Sequence, residues 1–360
     1  MSHSQWMIYG ANGYTGELIA REAVKRGLTP ILAGRNADKV GPLAEELGLE
    51  SRSFSLESIG GDALGDIKLV LHCAGPFSAT ADPMMQACLR YGCHYLDITG
   101  EIEVFERAAA LDDKARNAGV VLIPGVGFDV IPTDCLAARL KAALPDANHL
   151  ALGFDSRSGF SPGTAKTSVE ALAQGSMVRR NGKLVATPLA TFTRTIAFGH
   201  EPKMAVAIPW GDVSTAWHST GIDNIEVFIP MSPRKIAQLK RMNWFRSMLG
   251  WSWVQSLIKG RIERELKGPS DDQRKRHTTW VWGEVRNAKG DYVEGRVHTA
   301  NGYDVTVSGA LAVTEHLLSQ ADASGYHTPS TLMGWGLVEQ LPGSGSVELC
   351  PRDQQSQPAA

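Results

Sequence analysis

Gly10-Ala11-Asn12-Gly13-Tyr14-Thr15-Gly16 sets three glycines three residues apart, directly after the apolar run Trp6-Met7-Ile8-Tyr9. In a strand–turn–helix loop, one glycine permits a tight turn and a second lets a pyrophosphate approach the backbone. A third allows close helix–strand packing. The helix that follows offers free N–H groups and its positive dipole end to the phosphates. That chemistry is dinucleotide binding, with all seven residues as candidates; a plain tight turn is the alternative. Ala33-Gly34-Arg35-Asn36 follows the next apolar run, where the adenosine ribose would be read. An acid there bonds the 2′-hydroxyl and repels a phosphate. Gly34 and Arg35 bring no acid, and a planar guanidinium suits bidentate contact with a 2′-phosphate, so the expected cofactor is NADP(H). A solvated loop arginine is the competing reading. Ala74-Gly75-Pro76-Phe77 ends another apolar run and could let the nicotinamide ribose and ring lie against the backbone, unless it is an ordinary turn.

The elements that must position these residues follow from periodicity. Strands are expected at Trp6–Tyr9, Pro30–Ala33, Arg52–Leu56, Leu69–Ala74, His94–Ile98 and Val120–Ile123. Helices are expected at Tyr14–Arg26, around Lys39–Leu47, from Asp82-Pro83 onward and at Glu103–Ala118. Strands alternating with helices of this length imply βαβ units, hence an α/β chain opening with a Rossmann doubly wound parallel sheet. Beyond Gly125 the strands lengthen and alternate in polarity, as in Ala190–Phe198, Thr278–Arg286 and Tyr292–His298. Asn287, Gly290 and Asp291 suit a hairpin between the last two. This implies a second α+β domain with a largely antiparallel sheet, followed by a helix at Val307–Gln320. The expected organisation is a cofactor domain over 1–125, with 308–342 as a candidate completion. A substrate and dimerisation domain over 126–307 and a disordered tail over 343–360 make up the rest.

Composition narrows the function classes. Of 360 residues, 43% are hydrophobic and 21% charged, which suits a globular chain with a sizeable core. A formal charge of −2 argues against a nucleic-acid partner. The N-terminus lacks a basic then apolar leader pattern, and no apolar run is long enough to span a bilayer. Five cysteines without C-x-x-C spacing read as reduced thiols of a cytoplasmic protein, with no metal site.

Two further blocks complete a family pattern. Cys93-His94-Tyr95-Leu96-Asp97-Ile98-Thr99-Gly100-Glu101 and Gly125-Val126-Gly127-Phe128-Asp129-Val130-Ile131-Pro132-Thr133-Asp134 join the glycine loop, Ala-Gly-Arg and Ala-Gly-Pro-Phe. Together they resemble the saccharopine dehydrogenase-like oxidoreductases, most strongly over residues 5–135 and in the branch that includes bacterial trans-acting enoyl reductases. The resemblance implies NADP(H), two domains, a homodimer, and reduction of a carbon–carbon double bond in a lipid precursor. The family's name keeps oxidoreduction at a C–N bond as a rival, and a non-catalytic NADPH-binding scaffold is a third reading.

Hydride transfer also needs an acid for the atom that receives the electrons. Glu101 follows the fifth strand and Asp129 the sixth; each is a candidate acid or an orienting group. Their structural alternatives are an early-helix acid for Glu101 and a helix cap for Asp129. Lys166 and His218 are lesser candidates in the second domain. None of the seven tyrosines has lysine four residues later, so the Tyr-x-x-x-Lys machinery of short-chain dehydrogenases is absent. The stretch 244–258, with Trp244, Trp251 and Trp253, reads as core, dimer seam or the wall of a groove for a greasy substrate with peripheral membrane contact.

Overall fold

Short, wholly apolar runs build the first sheet. In the computed structural model, which describes residues 5–156, 175–199, 201–245, 278–319 and 322–352, β1 (Trp6–Tyr9), β2 (Ile31–Gly34) and β4 (Leu69–His72) are buried at every position. Strands buried on both faces belong to parallel sheets covered by helices, where alternation is lost. With β3 (Ser51–Ser53), β5 (His94–Asp97), β6 (Val121–Ile123) and β15 (Gly325–Tyr326) they form a seven-stranded sheet in the order β3-β2-β1-β4-β5-β6-β15. Every pairing in it is parallel. The first six follow the Rossmann order, whose reversal beside β1 opens a ligand crevice at the strands' carboxyl ends.

The helices of this unit are α1 (Tyr14–Lys25), α2 (Ala37–Leu47), α3 (Gly61–Leu64), α4 (Phe77–Tyr91), α5 (Ile102–Ala109) and α6 (Asp112–Ala118). Met84, Met85 and Cys88 of α4 and Val104 and Ala108 of α5 share one core with Met7, Val70 and Tyr95 of the sheet. Two helices differ from the sequence expectation. α4 starts at Phe77, and Pro83 lies inside it. Proline there leaves the Ala79 carbonyl without its helical N–H. The stretch expected as one helix over 103–118 is two, broken where Leu111 adopts φ −97° and ψ 4° as the cap of α6.

The chain divides into two compact units: residues 1–131 with 303–333, and 132–302 with 334–360. The second holds a nine-stranded mixed sheet with the path β10-β11-β12-β7-β13-β14-β16, plus β8 and β9. Its strands are β7 (His149–Asp155), β8 (Ser176–Arg180), β9 (Lys183–Thr187), β10 (Thr193–Ile196), β11 (Lys203–Ala207), β12 (Asn224–Pro230), β13 (Thr279–Arg286), β14 (Tyr292–Thr299) and β16 (Glu348–Arg352). Among the described residues, only β12 and β7 pair in parallel; the other pairings are antiparallel. Helix α7 (Ile131–Ala143) reaches this sheet through Leu136 and Leu140, which lie over the cross-strand pair Gly283 and Gly295. A Cβ on Gly283 would stand 2.7 Å from Leu140, so the two glycines make room for the helix. Among the described residues, this unit also has α8 (Asp212–Thr220), α9 (Pro233–Met242) and α12 (Leu337–Gln340), while α10 (Gly302–Ser319, from Tyr303) and α11 (Pro329–Met333) belong to the first unit.

The tail expected to be disordered from 343 instead supplies β16, paired with β14 from Glu348 to Arg352. Pro351 is tolerated because β16 is the edge strand of the path. Lys166 and residues 246–258 of the tryptophan-rich stretch lie outside the described residues.

Candidate functional site

Three glycines of the first loop meet three different demands. Gly10 turns with φ +84°, and a Cβ there would stand 2.7 Å from the Ala74 nitrogen. Its N–H and that of Ala11 both donate to the Ala33 carbonyl, at 2.7 and 3.1 Å, which anchors the loop across β2. Gly16 is the packing glycine: a Cβ would come within 2.4 Å of the Gly10 carbonyl oxygen. Gly13 is the opposite case. It has extended backbone at the N-cap of α1, and a Cβ would meet only the Gly10 oxygen, at 3.2 Å. Gly13 offers no side-chain cap to α1, and the helix's positive dipole end lies at this loop, where an anion is favoured. This is a cradle with the fit of a dinucleotide pyrophosphate.

The other cofactor candidates stand at the ends of neighbouring strands. Asn12 lies over Gly34, where a Cβ would stand 3.1 Å from its Oδ1. Arg35 is exposed just past β2, and Asn36 caps α2 by accepting from the Asp38 N–H at 2.9 Å. Tyr14 packs edge-on against Tyr303 of α10, with centroids 5.2 Å apart. Beyond β4, Thr80 donates its hydroxyl to the Ala74 carbonyl at 2.7 Å and to the Pro76 carbonyl at 3.0 Å, which holds the Ala74–Phe77 loop in shape. Beneath it, His72 lies buried between the rings of Tyr9 and Phe77, each 5.5 Å away, and burial lowers its pKa to about 3.

The two candidate acids have distinct surroundings. Glu101 accepts the Phe77 N–H at 3.0 Å and the Ser78 N–H at 2.6 Å, so its carboxylate caps α4 from 23 and 24 residues away. A negative charge at a helix N-terminus is stabilising, which explains an acid here on structural grounds. Asp129 is half-buried, and its carboxyl lies over Gly100, whose added Cβ would stand 2.8 Å from Oδ2. Burial of that carboxyl raises its pKa to about 7. The Gly127–Asp129 turn is tied to α10 by the Phe128 N–H, which donates to the Thr306 hydroxyl at 3.0 Å.

One residue central to this arrangement escaped the sequence reading. Asp97 ends β5 fully buried, and its Oδ1 accepts the N–H groups of Thr99 at 2.9 Å and Gly125 at 2.8 Å. Its Oδ2 accepts the Tyr95 hydroxyl at 2.6 Å, and its backbone carbonyl accepts the Val126 N–H at 2.8 Å. It thereby joins the loop carrying Glu101 to the loop carrying Asp129. Burial outweighs these donors and raises its pKa to about 7. The available signal was an acid at a strand's last position in an otherwise apolar run. The rest of that motif belongs to the second unit, where Thr133 donates to Asp212 of α8 at 2.8 Å, both buried. His218 also lies on α8, its ring edge-on to Trp217.

Strand order and glycine cradle define a dinucleotide-binding domain. Residues 6–123 match the saccharopine dehydrogenase NADP-binding domain, and the chain carries that domain as the main part of its first unit. Its cofactor is NADP(H). The chain is 35% identical over 150 residues to the "Probable mitochondrial saccharopine dehydrogenase-like oxidoreductase" of Arabidopsis thaliana, covering 36% of this chain and 32% of that one. It is 30% identical over 150 residues to the mouse saccharopine dehydrogenase-like oxidoreductase, covering 36% of this chain and 35% of that one. It is 29% identical over 219 residues to the trans-acting enoyl reductase of Mycobacterium tuberculosis, covering 55% of this chain and 51% of the reductase. The match thus spans about a third to a half of each relative's length. In fold, the apo saccharopine dehydrogenase (L-Glu forming) of Saccharomyces cerevisiae superposes with a TM-score of 0.65 at 11% identity, over 96% of this chain and all of that one. Among the described residues, no group of three or more acidic, histidine or cysteine side chains could hold a metal, and no helix is long and apolar enough to cross a membrane.

Proposed function

We propose that this chain is an NADPH-dependent reductase acting on an activated carbon–carbon double bond of a hydrophobic, lipid-like enone or enoyl substrate. Bound NADPH supplies the hydride. Gly10–Gly16 and the open end of α1 hold the pyrophosphate, Gly34 and Arg35 the 2′-phosphate, and Ala74–Phe77 the nicotinamide side. Asp129 carries the proton that the substrate's α-carbon takes up once its β-carbon has accepted hydride. The observation behind this assignment is the Asp129 carboxyl over Gly100, with a pKa of about 7 that leaves a usable protonated fraction at neutral pH. Glu101, with both oxygens on the backbone of α4, orients the Phe77 loop beside it. The second unit serves as the substrate domain.

The enoyl reading draws support from similarity to the mycobacterial reductase over a stretch longer than the NADP-binding domain itself. We further take the working enzyme as a cytoplasmic homodimer, in line with the family resemblance and with five free cysteines. A panel of long-chain enones, 2-enoyl thioesters, ketones and imines, followed by NADPH absorbance, tests the activity. Turnover of the enoyl compounds, with label from deuterated NADPH at the β-carbon, is the expected result. Turnover confined to imines would move the reaction to a C–N bond, and NADPH binding without turnover across the panel would leave a scaffold.

A further inference from the structure

The second unit presents a basic helix face that ends in an exposed tryptophan. Helix α9 buries Ile236 and turns Leu239 into a small core with Val206 of β11 and Ile229 of β12. The rest of its circumference carries Arg234, Lys235, Lys240 and Arg241, all exposed. None of these four forms an ion pair with a described residue, and the ten residues of the helix include no acid. The whole chain has a formal charge of −2, so this local excess is an asymmetry of the molecule and not its average. A ten-residue helix is about 15 Å long, so neighbouring charges lie within a Debye length and act together on a charged surface.

The helix runs at its C-terminus into a turn that two hydrogen bonds tie to Leu189. Asn243 accepts the Leu189 N–H at 2.8 Å and donates to the Leu189 carbonyl at 2.9 Å. Next to this anchor Trp244 is 88% exposed. At the other end, the Met231 N–H donates to the Met204 carbonyl, and Met204 is itself exposed. Met204 lies two residues before Val206 on β11, hence on the sheet face that α9 covers.

We propose that α9 and Trp244 form a docking surface for an anionic membrane leaflet. Four cations with no acid on one short helix complement a uniformly anionic surface, and a basic patch beside an exposed tryptophan matches the chemistry of the bilayer interface. The apolar stripe of α9 is already engaged in the unit's own core, so the helix does not embed. The basic face meets acidic headgroups while the indole enters the interfacial zone. Such docking is reversible and weakens with salt. It does not depend on which substrate the enzyme reduces.

Sedimentation of the full chain with vesicles of phosphatidylcholine, alone or mixed with phosphatidylglycerol, tests this. Binding at least about tenfold tighter to the mixed vesicles is expected, with the gap closing at high salt. A variant combining Arg234→Gln, Lys235→Gln, Lys240→Gln and Arg241→Gln should lose that preference. Trp244→Ala should weaken binding yet keep it. Unchanged circular dichroism and thermal melting report that both variants are folded. Equal binding by the parent and the four-site variant, no vesicle binding at all, or capture by soluble polyglutamate in preference to vesicles would each overturn the proposal.

Discussion

The loop after β1 and the loops after β5 and β6 stand at the same edge of one sheet but are held in different ways. In the glycine loop the demands are steric and set by backbone: Gly16 is dictated by the Gly10 carbonyl, six residues away, and Gly10 by the Ala74 nitrogen on a neighbouring strand's loop. The carboxyl-bearing loops hang on distant partners. Glu101 bonds to Phe77 and Ser78, Asp97 to Gly125, and Phe128 to Thr306, 178 residues on. The first region is a cradle set by close backbone approaches. The second is an assembly in which one buried carboxyl, Asp97, keeps two others in place.

The largest contrast should appear within the cradle itself. Gly16→Val places a Cβ against backbone and should destabilise the chain by about 3 kcal/mol or more, read as lost urea resistance. Gly13→Val meets only one oxygen at 3.2 Å, so folding should change by less than about 1 kcal/mol while NADPH binding is abolished. Comparable stability of the two variants would erase the distinction between packing glycine and phosphate glycine.

Asp97→Ala comes next. It strands the N–H groups of Thr99 and Gly125 and the Tyr95 hydroxyl in a buried place, at a cost of about 3–5 kcal/mol in chemical denaturation. Asp97→Asn keeps one oxygen for the two N–H groups and should lose about 1–2 kcal/mol. If both variants melt like the parent, the carboxyl loops are held by something else.

A smaller, pH-shaped effect separates Asp129 from Glu101. The Asp129 pKa of about 7 lies above its ordinary 3.8, so between these values the unfolded chain has released a proton that the folded chain keeps. Stability therefore falls as pH rises through that window, by at most about 1.4 kcal/mol per unit, with the partly exposed side chain reducing it. Asp129→Asn removes this slope, so its melting temperature should gain on the parent from about pH 4 to 7 and then hold level. A constant offset across that range would show that Asp129 ionises normally.

The same contrast explains what was legible in the sequence. Gly10 and Gly16 could be read because residue type and short spacing carry the steric requirement. The parallel sheet could be read because strands buried on both faces write continuous apolar runs. Glu101's hold on α4 and the bond of Thr306 to Phe128 depend on partners that only the fold brings near. Pro83 misled because proline marks first helical turns, whereas here the helix starts six residues earlier under the Glu101 carboxylate. The polar composition of 353–360 likewise drew attention from Glu348–Arg352, which forms an edge strand.

We propose that Arg35 selects NADP(H) over NAD(H). Calorimetric titration of NADPH and NADH into the parent and into Arg35→Asp tests it. NADPH should bind the parent more tightly than NADH, and the substitution should weaken NADPH by about 1–3 kcal/mol while leaving NADH nearly unchanged. Equal affinity of the parent for the two cofactors, or equal loss of both in the variant, would contradict it.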